Sequence, residues 1–193
     1  ESNGPPLFSQ PTPVPGCRVC KDTEMGSGHN FDKFTAAILA LSNSKVWLEA
    51  KPEWLLHSVY NDGSDRGCEC GHQPIHQICV IKNRENGNEA EVGNVCVHNF
   101  MQLASRRIFS VLKRVRAEIT KSFNPAALDL FKRRGIVTEG EVADYTQYWR
   151  KRTNMTDAQR KQKTEINERI LSYCDEEEIR LRKNFIDNGL KPR

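Results

Sequence analysis

The feature that most constrains the fold of this chain is a cluster of cysteines and histidines near its middle. The stretch GCECGHQPIH, residues 67–76, places Cys68 and Cys70 one residue apart and follows them with a glycine and two histidines. The chain has seven cysteines, an odd number, and six of them precede residue 97. An odd count and interleaved histidines favour metal ligation over a framework of disulfides. The sequence therefore predicts a metal site.

The order of the surrounding elements indicates the kind of metal site. The turn signal Asn86-Gly87 lies between two alternating segments, 75–83 and 88–96, and predicts a β-hairpin that ends at Cys96, just before a helical pattern. A CxCG turn, a hairpin and a cysteine at a helix start occur in this order in treble-clef zinc sites. Because a closed zinc site takes four tetrahedral Cys or His ligands, we predict a structural Zn²⁺ site. Its three first-choice ligands are Cys68, Cys70 and Cys96.

Four residues compete for the fourth position of that site. His98 lies at the start of the helix, where the treble-clef plan places a ligand. Cys79 lies in the first hairpin strand and alternates with apolar neighbours, so it is either a ligand or a core residue. His72, two residues past the turn, and His76 are further candidates. The spacing leaves the choice open.

A second pair of cysteines, Cys17 and Cys20, forms a CxxC before this cluster. With His29 and a leftover ligand of the first site, the pair would bind a second zinc ion; otherwise it joins the first site or stays unliganded. No βαβ pattern surrounds the pair, which argues against a redox function. Cys174 lies on the apolar face of a helix and is expected in the core. We expect one zinc ion, with a second as the alternative.

The sequence CECGHQPIHQICVIKNRENGNEAEVGNVCVHNF, residues 68–100, resembles a motif of uncharacterised proteins from bacteriophages and bacterial mobile elements, CxCGHxPIxxxCxIxNxxNGNxxxVGNxCVxxF. The segments RIFSVLKRVR and QKTEINERIL are similar to the same group, and the likeness covers roughly residues 54–172. The resemblance implies a zinc-binding fold in a mobile-element setting and supplies no activity. Since the motif contains the CxCGH turn and the cysteine at position 79, it favours His72 and Cys79 as ligands, whereas His98 is not part of it.

The periodicities predict an α+β protein, in which a small treble-clef-like zinc module with a β-hairpin precedes a mostly helical part. Residues 1–16 are rich in proline and are expected to form a disordered arm. Residues 17–100 are assigned to the zinc-binding module, with a strand at 53–60 and a turn-rich loop, NDGSDRG, after it. Residues 101–193 are assigned to a basic helical region. Helices are predicted over FDKFTAAILALSNS, the apolar stripe from Ile108 to Ile119, FNPAALDLFKRRG, EGEVADYTQYWRKRT after Thr138, and a last long segment capped by Thr156 with Gln159.

Charge is divided unevenly along the chain. Residues 1–100 carry 8 Lys and Arg against 12 Asp and Glu, and residues 101–193 carry 21 against 13, so the net charges are −4 and +8. The basic half is expected to face a polyanion or an acidic partner. Solvated helix surfaces, and cations that complement helix dipoles, are the simpler explanation of the same pattern. The candidate phosphate contacts are Arg106, Arg107, Lys113, Arg114, Arg150, Lys151 and Arg152.

Three aromatic residues lie beside the last of these cations. Tyr145, Tyr148 and Trp149 precede the Arg150 triplet by one to five residues. They would either stack on bases or close the core between helices. The sequence alone does not choose between the two.

Catalysis is the weakest of the three function classes that these features allow. A nuclease of the His-Asn-His kind can be built on a treble clef, and His98-Asn99 invites the comparison, but the first hairpin strand ends in Lys82-Asn83, where that chemistry needs a histidine. We therefore expect a protein without catalytic activity that binds DNA or RNA mainly through the phosphate backbone. The alternative is an adaptor or inhibitor of a host enzyme, which would use the proline-rich arm, the acidic first half or the DEEE run at 175–178.

The hydropathy of the chain bears on its location. No apolar run approaches the roughly 20 residues that a bilayer crossing needs. We expect no membrane contact and a cytoplasmic location, in a bacterial cell or a phage-infected host. The sequence does not determine the oligomeric state.

Overall fold

A computed structural model describes residues 28–151 and 153–187. Within them the chain forms one three-stranded antiparallel sheet and seven α-helices, which confirms the α+β prediction. The strands are β1 (Trp54–Arg66), β2 (Ile75–Asn83) and β3 (Glu89–Gly93). The helices are α1 (His29–Leu41), α2 (Trp47–Ala50), α3 (Asn94–Cys96), α4 (Ser105–Ala117), α5 (Pro125–Arg133), α6 (Glu139–Tyr148) and α7 (Asp157–Asp187), with a 3₁₀ turn at Lys51–Glu53 and a π-helical turn at Val97–Met101.

The predicted β-hairpin is confirmed. The strands lie in the order β1-β2-β3, and Ile81 pairs with Ala90 across the hairpin. The turn closes through two backbone hydrogen bonds, from Asn83 N to Asn88 O at 2.8 Å and from Gly87 N to Asn83 O at 2.9 Å. Gly87 has a φ of +78°, a left-handed conformation that glycine adopts without steric cost.

The first strand is longer than predicted. We expected a turn-rich loop at NDGSDRG, yet β1 continues through residue 66. Asn61 pairs with Gln77, and Arg66 pairs with Ile75. Five residues of β1 therefore advance over the same distance as two residues of β2, and the extra residues of β1 form an irregular bulge. The buried Arg66 side chain donates to Asp62 at 2.7 Å and also to Glu91 of β3. Ion pairing inside the sheet therefore accommodates residues whose propensities favour a turn.

One hydrophobic core joins the sheet to the helices. The buried apolar residues form a single cluster that extends from Phe34 in α1 to Leu181 in α7. Helix α4 shows the predicted stripe, since Ile108, Val111, Leu112 and Val115 are buried; Ile119 is only partly buried and lies beyond the helix end. Helices α4, α5 and α7 all contact β1. None of the helices in the described part of the chain is both long and apolar enough to cross a membrane.

A buried asparagine fixes the loop between α4 and α5 to the last helix. Asn167 of α7 is fully buried, and its Nδ2 donates to Ile119 O at 2.6 Å and to Lys121 O at 2.7 Å. Tyr145 OH donates to Asn167 Oδ1 at 2.8 Å and accepts from Phe123 N at 3.0 Å. A single amide therefore satisfies backbone groups of a loop that forms no helix or strand of its own.

Replacing this amide should be costly. We expect Asn167→Ala to lower the free energy of unfolding by about 2–3 kcal/mol, because it removes the side-chain donor to two carbonyls and the acceptor of the Tyr145 hydroxyl in the core. Urea denaturation followed by circular dichroism measures the change. Asn184→Ala is the matched control, since Asn184 is an exposed residue of the same helix, and it should change stability by less than about 0.5 kcal/mol. Equal effects of the two substitutions would contradict the assigned role of Asn167.

Candidate functional site

Three of the predicted metal ligands come together at one end of the sheet. Cys68 and Cys70 lie in the connection between β1 and β2, and Cys96 ends the short helix α3 that follows β3. Their Sγ atoms all lie within 4.8 Å of one another. All three side chains are buried, with 7%, 2% and 7% of the surface exposed for Cys68, Cys70 and Cys96. The structure thus brings together the three residues that the sequence named as first-choice ligands.

The group fits a tetrahedral metal ion. With Zn–S bonds of about 2.3 Å, two sulfurs on a tetrahedral zinc ion lie roughly 3.8 Å apart. In the structure the Sγ atoms lie at most 4.8 Å apart. Shifts of about 1 Å or less would therefore bring all three sulfurs to bonding distance of one ion. Thiolate ligands select soft or borderline metals such as zinc. Cys68, Cys70 and Cys96 could thus hold a metal ion of this class.

The CECGH turn is shaped by its own backbone. Gly71 N donates to Cys68 O at 2.8 Å, and Cys68 N donates to His72 O at 2.9 Å. Gly71 has a φ of +86°, which a residue with a side chain would adopt only with strain. Backbone N–H groups also point at the sulfurs, from His72 to Cys70 Sγ at 3.4 Å and from Gly93 to Cys68 Sγ at 3.2 Å. Such donors favour the thiolate form that binds metal.

The three thiols cannot all ionise easily without a cation. The pKa of Cys68 is lowered to about 6, chiefly because the Cys96 thiol hydrogen-bonds to it and secondarily through backbone donors. The same contact raises the pKa of Cys96, and burial raises that of Cys70. One thiolate therefore suppresses ionisation of its two neighbours. A divalent ion would remove that repulsion and displace the remaining protons.

The candidates for a fourth ligand lie outside this group. Cys79 is fully buried in β2, where burial raises its pKa to about 12. His72 and His98 have exposed side chains, and the π-helical turn that carries His98 was not predicted. His76 is exposed as well, and its Nδ1 lies 3.3 Å from Asp62 O. The predicted Cys17 and Cys20 lie outside the described residues.

The four cations of the predicted ridge on α4 are all exposed. They fall within an arc of about 120° of the helix circumference, given 100° per residue. We call this set the basic ridge. It comprises Arg106, Arg107, Lys113 and Arg114.

Arg114 also belongs to a second feature, a groove of about 740 Å³ that the sequence did not predict. The groove lies between the end of α4, the α4–α5 loop, the α6–α7 loop and the first turns of α7. We call it the basic groove. Six cations line it, namely Arg114, Lys121, Arg150, Lys151, Arg160 and Lys163. Of the predicted residues it contains Arg114, Arg150 and Lys151, whereas Arg152 lies outside the described residues.

Carboxylates neutralise only part of the groove. Lys121 pairs with Glu118 at 3.1 Å and Arg160 pairs with Asp157 at 2.5 Å. The guanidinium of Arg114 donates to the backbone carbonyl of Ser122 at 2.7 Å. Among the residues that the structure describes, the four other cations of the groove have no carboxylate within 4.0 Å, so the groove keeps a local excess of four positive charges. These four are Arg114, Arg150, Lys151 and Lys163.

The three aromatic residues that precede Arg150 in the sequence have two different environments. Tyr145 and Tyr148 are buried, with 0% and 2% of their surfaces exposed, so they close the core and are not available to bases. Trp149 is half-buried and lines the groove. The guanidinium of Arg150 lies over its ring, 4.8 Å from the ring centroid.

Comparisons with known proteins add no assignment to this geometry. No protein-family model, no curated protein and no solved structure matches the chain. The resemblance to phage and mobile-element proteins therefore stays a prediction.

Gly93 offers a test of the metal group that leaves every ligand in place. A Cβ at this position would lie 3.2 Å from Ile75 Cγ2 and 3.6 Å from Cys68 Sγ. We expect Gly93→Ala to weaken metal binding by roughly tenfold, because it displaces the turn that orients Cys68. Competition with a chromophoric chelator measures the affinity. Gly63→Ala, where a Cβ meets nothing within 4 Å, should bind metal as tightly as the unaltered chain; if Gly93→Ala does so too, Gly93 has no part in positioning Cys68.

Proposed function

We propose that this chain is a zinc-stabilised protein of phage or mobile-element type that binds nucleic acid through the phosphate backbone. The observation that carries the proposal is the basic groove with its four unneutralised cations. Phosphate contacts from clustered Lys and Arg supply most of the affinity of sequence-independent binding. The basic ridge on α4 extends this surface, since Arg114 belongs to both.

The metal has a structural role in this proposal. Zn²⁺ is held by Cys68, Cys70 and Cys96 in a treble-clef-like arrangement, and a fourth ligand closes the site. The fourth ligand is supplied by one of the predicted candidates: Cys79, His72, His98, Cys17 or Cys20. The ion thereby joins the β1–β2 turn to the start of the helical segment that leads into α4.

The acidic run at residues 175–178, which would support a protein-binding adaptor, already forms ion pairs with arginines of the same chain. Asp175 accepts from Arg116 at 2.6 Å, and Glu178 accepts from Arg182 at 2.6 Å. Glu177 pairs with Arg180 at 2.7 Å. Because these carboxylates already stabilise helix contacts, they are poor candidates for a docking surface, and nucleic-acid binding is the better supported of the two functions.

Binding to nucleic acid should be strongly salt-dependent. We expect the affinity for mixed-sequence DNA or RNA to fall by about 100-fold between 50 and 200 mM monovalent salt, which corresponds to the release of counterions from about four phosphates. Fluorescence anisotropy at several salt concentrations, on protein with quantified zinc, measures the slope. Absence of binding by zinc-loaded protein would overturn the proposal and redirect the search to a protein partner that survives nuclease and high salt in a pull-down.

Removal of the metal should unfold the sheet end of the molecule. We expect chelation, or replacement of any one of Cys68, Cys70 and Cys96 by serine, to abolish zinc binding and lower the melting temperature, because metal-binding free energy is also folding free energy. Cys174→Ala is the control, since Cys174 is a buried cysteine of α7 outside the cluster. It should retain the metal.

Cobalt substitution would identify the fourth ligand. The charge-transfer absorption of a Co²⁺-substituted site grows with the number of thiolate ligands. A spectrum typical of four thiolates in the unaltered chain, reduced to three in Cys79→Ala or in Cys17→Ala with Cys20→Ala, would identify a cysteine. A three-thiolate spectrum that changes only in His72→Ala or His98→Ala would identify a histidine.

A further inference from the structure

The floor of the basic groove contains a lysine without a partner. Lys163 lies in the second turn of α7 and lines the groove, yet only 7% of its surface is exposed. Within the described residues its ammonium has no hydrogen bond and no carboxylate within 4.0 Å. Burial lowers the pKa of Lys163, the nearby charge of Lys121 lowers it further, and Glu118 opposes both effects. The long side chain is therefore buried along its stem, while the ammonium keeps contact with the groove.

The groove gives an anion access to this lysine. Its volume of about 740 Å³ falls within the range of pockets that enclose a ligand of small-molecule size, about 300–1,000 Å³. Arg114 lines the same groove, and its guanidinium is held by Ser122 O at 2.7 Å, with no carboxylate to neutralise it. A run of phosphates in the groove would supply negative charge to both residues.

Trp149 provides an aromatic surface in the same groove. The residue follows the end of α6 and is half-buried against the hydrophobic core, which fixes its position. Arg150 already lies over the ring at 4.8 Å. Unpaired bases stack on aromatic rings of this kind in proteins that bind single strands. Arg150 is exposed, so a base would reach the ring by displacing its guanidinium.

We propose that the basic groove binds single-stranded nucleic acid, with backbone phosphates seated inside the groove against Lys163 and Arg114 and a neighbouring base stacked on Trp149. The inference rests on the proposed function and deepens it. In a duplex the bases are stacked inside a stiff rod, so a base reaches Trp149 only after it is unpaired and unstacked. A single strand presents a phosphate and an unpaired base to the same small groove without that penalty.

The test compares single-stranded and duplex oligonucleotides of the same sequence and of about 12 nucleotides, a length within the site sizes of known single-strand binders. The zinc-loaded full chain is titrated into each labelled oligonucleotide at two salt concentrations, and anisotropy is recorded. We expect the single strand to bind at least tenfold more tightly than the duplex. Quenching of tryptophan fluorescence should accompany binding of the single strand, and it should be largely lost in Trp149→Phe.

Two pairs of variants separate the roles of the phosphate and the base. Lys163→Gln should lower single-strand affinity about tenfold and make the log–log salt slope shallower by about one. Lys161→Gln is the matched control, because Lys161 is an exposed lysine of the same helix that pairs with Glu165 outside the groove. It should change affinity less than threefold. Trp149→Ala should weaken single-strand binding roughly tenfold without changing the salt slope, whereas Trp149→Phe, which keeps a ring, should restore most of the affinity.

The outcomes distinguish this inference from the proposed function. If duplex binds as tightly as single strand, with a steep salt slope, the proposed function stands and the single-strand assignment is overturned. The assignment is also overturned if Lys163→Gln behaves like Lys161→Gln in protein whose melting temperature is unchanged. If neither oligonucleotide binds, both proposals fail. A thermal melt of each variant precedes the titrations, and Trp149→Phe keeps the stacking test valid if Trp149→Ala does not fold.

Discussion

The constraint on which the rest of the structure depends is the convergence of three thiols at the end of the sheet. Cys68, Cys70 and Cys96 are buried with their sulfurs within 4.8 Å of one another, and two backbone N–H groups point at them. Thiols in this position either stay protonated beside one thiolate or share a cation, because like charges at this distance repel strongly in a buried site. A metal ion shared by the three thiols would therefore cross-link the β1–β2 turn to the start of the helical segment.

This point is connected to the basic groove by a single helix. Cys96 leads through the π-helical turn at Val97–Met101 into α4, which is about 20 Å long. One side of α4 is buried in the common core, and the other carries the basic ridge that ends at Arg114 in the groove. At that far end the loop after α4 is held by Asn167. The cysteine cluster and one buried amide thus fix the two ends of the element that presents the cations.

Local sequence patterns predicted the helices, the hairpin and the caps of this fold well. They could not predict which residues distant in sequence lie close together in the structure. The hairpin, the stripe on α4 and the caps at Thr138 and Thr156 each depend on residues close in sequence, and the structure has all of them. The extension of β1 through NDGSDRG was missed, because turn propensity gives no sign of the ion pairs of Arg66. Lys163 was missed for a related reason. It is an ordinary charged residue in its own helix and becomes unusual only where the groove buries it.

The distribution of charge in the second half of the chain shows why the groove is distinctive within that basic surface. A surplus of eight positive charges between residues 101 and 193 could be spread evenly as a solvated coat. Instead, α7 carries carboxylates that neutralise particular cations: Asp175 pairs with Arg116, and Glu177 lies 3.6 Å from Arg134. Those pairs join α7 to α4 and to the end of α5. Arg116 and Arg134 therefore stabilise the packing of the helices and are not free to bind an anion. Of the described cations in this half that have no carboxylate within 4.0 Å, four line the groove and three others lie on the basic ridge. In the groove they include a largely buried lysine side chain, so an anion bound there would interact with several unneutralised charges at once.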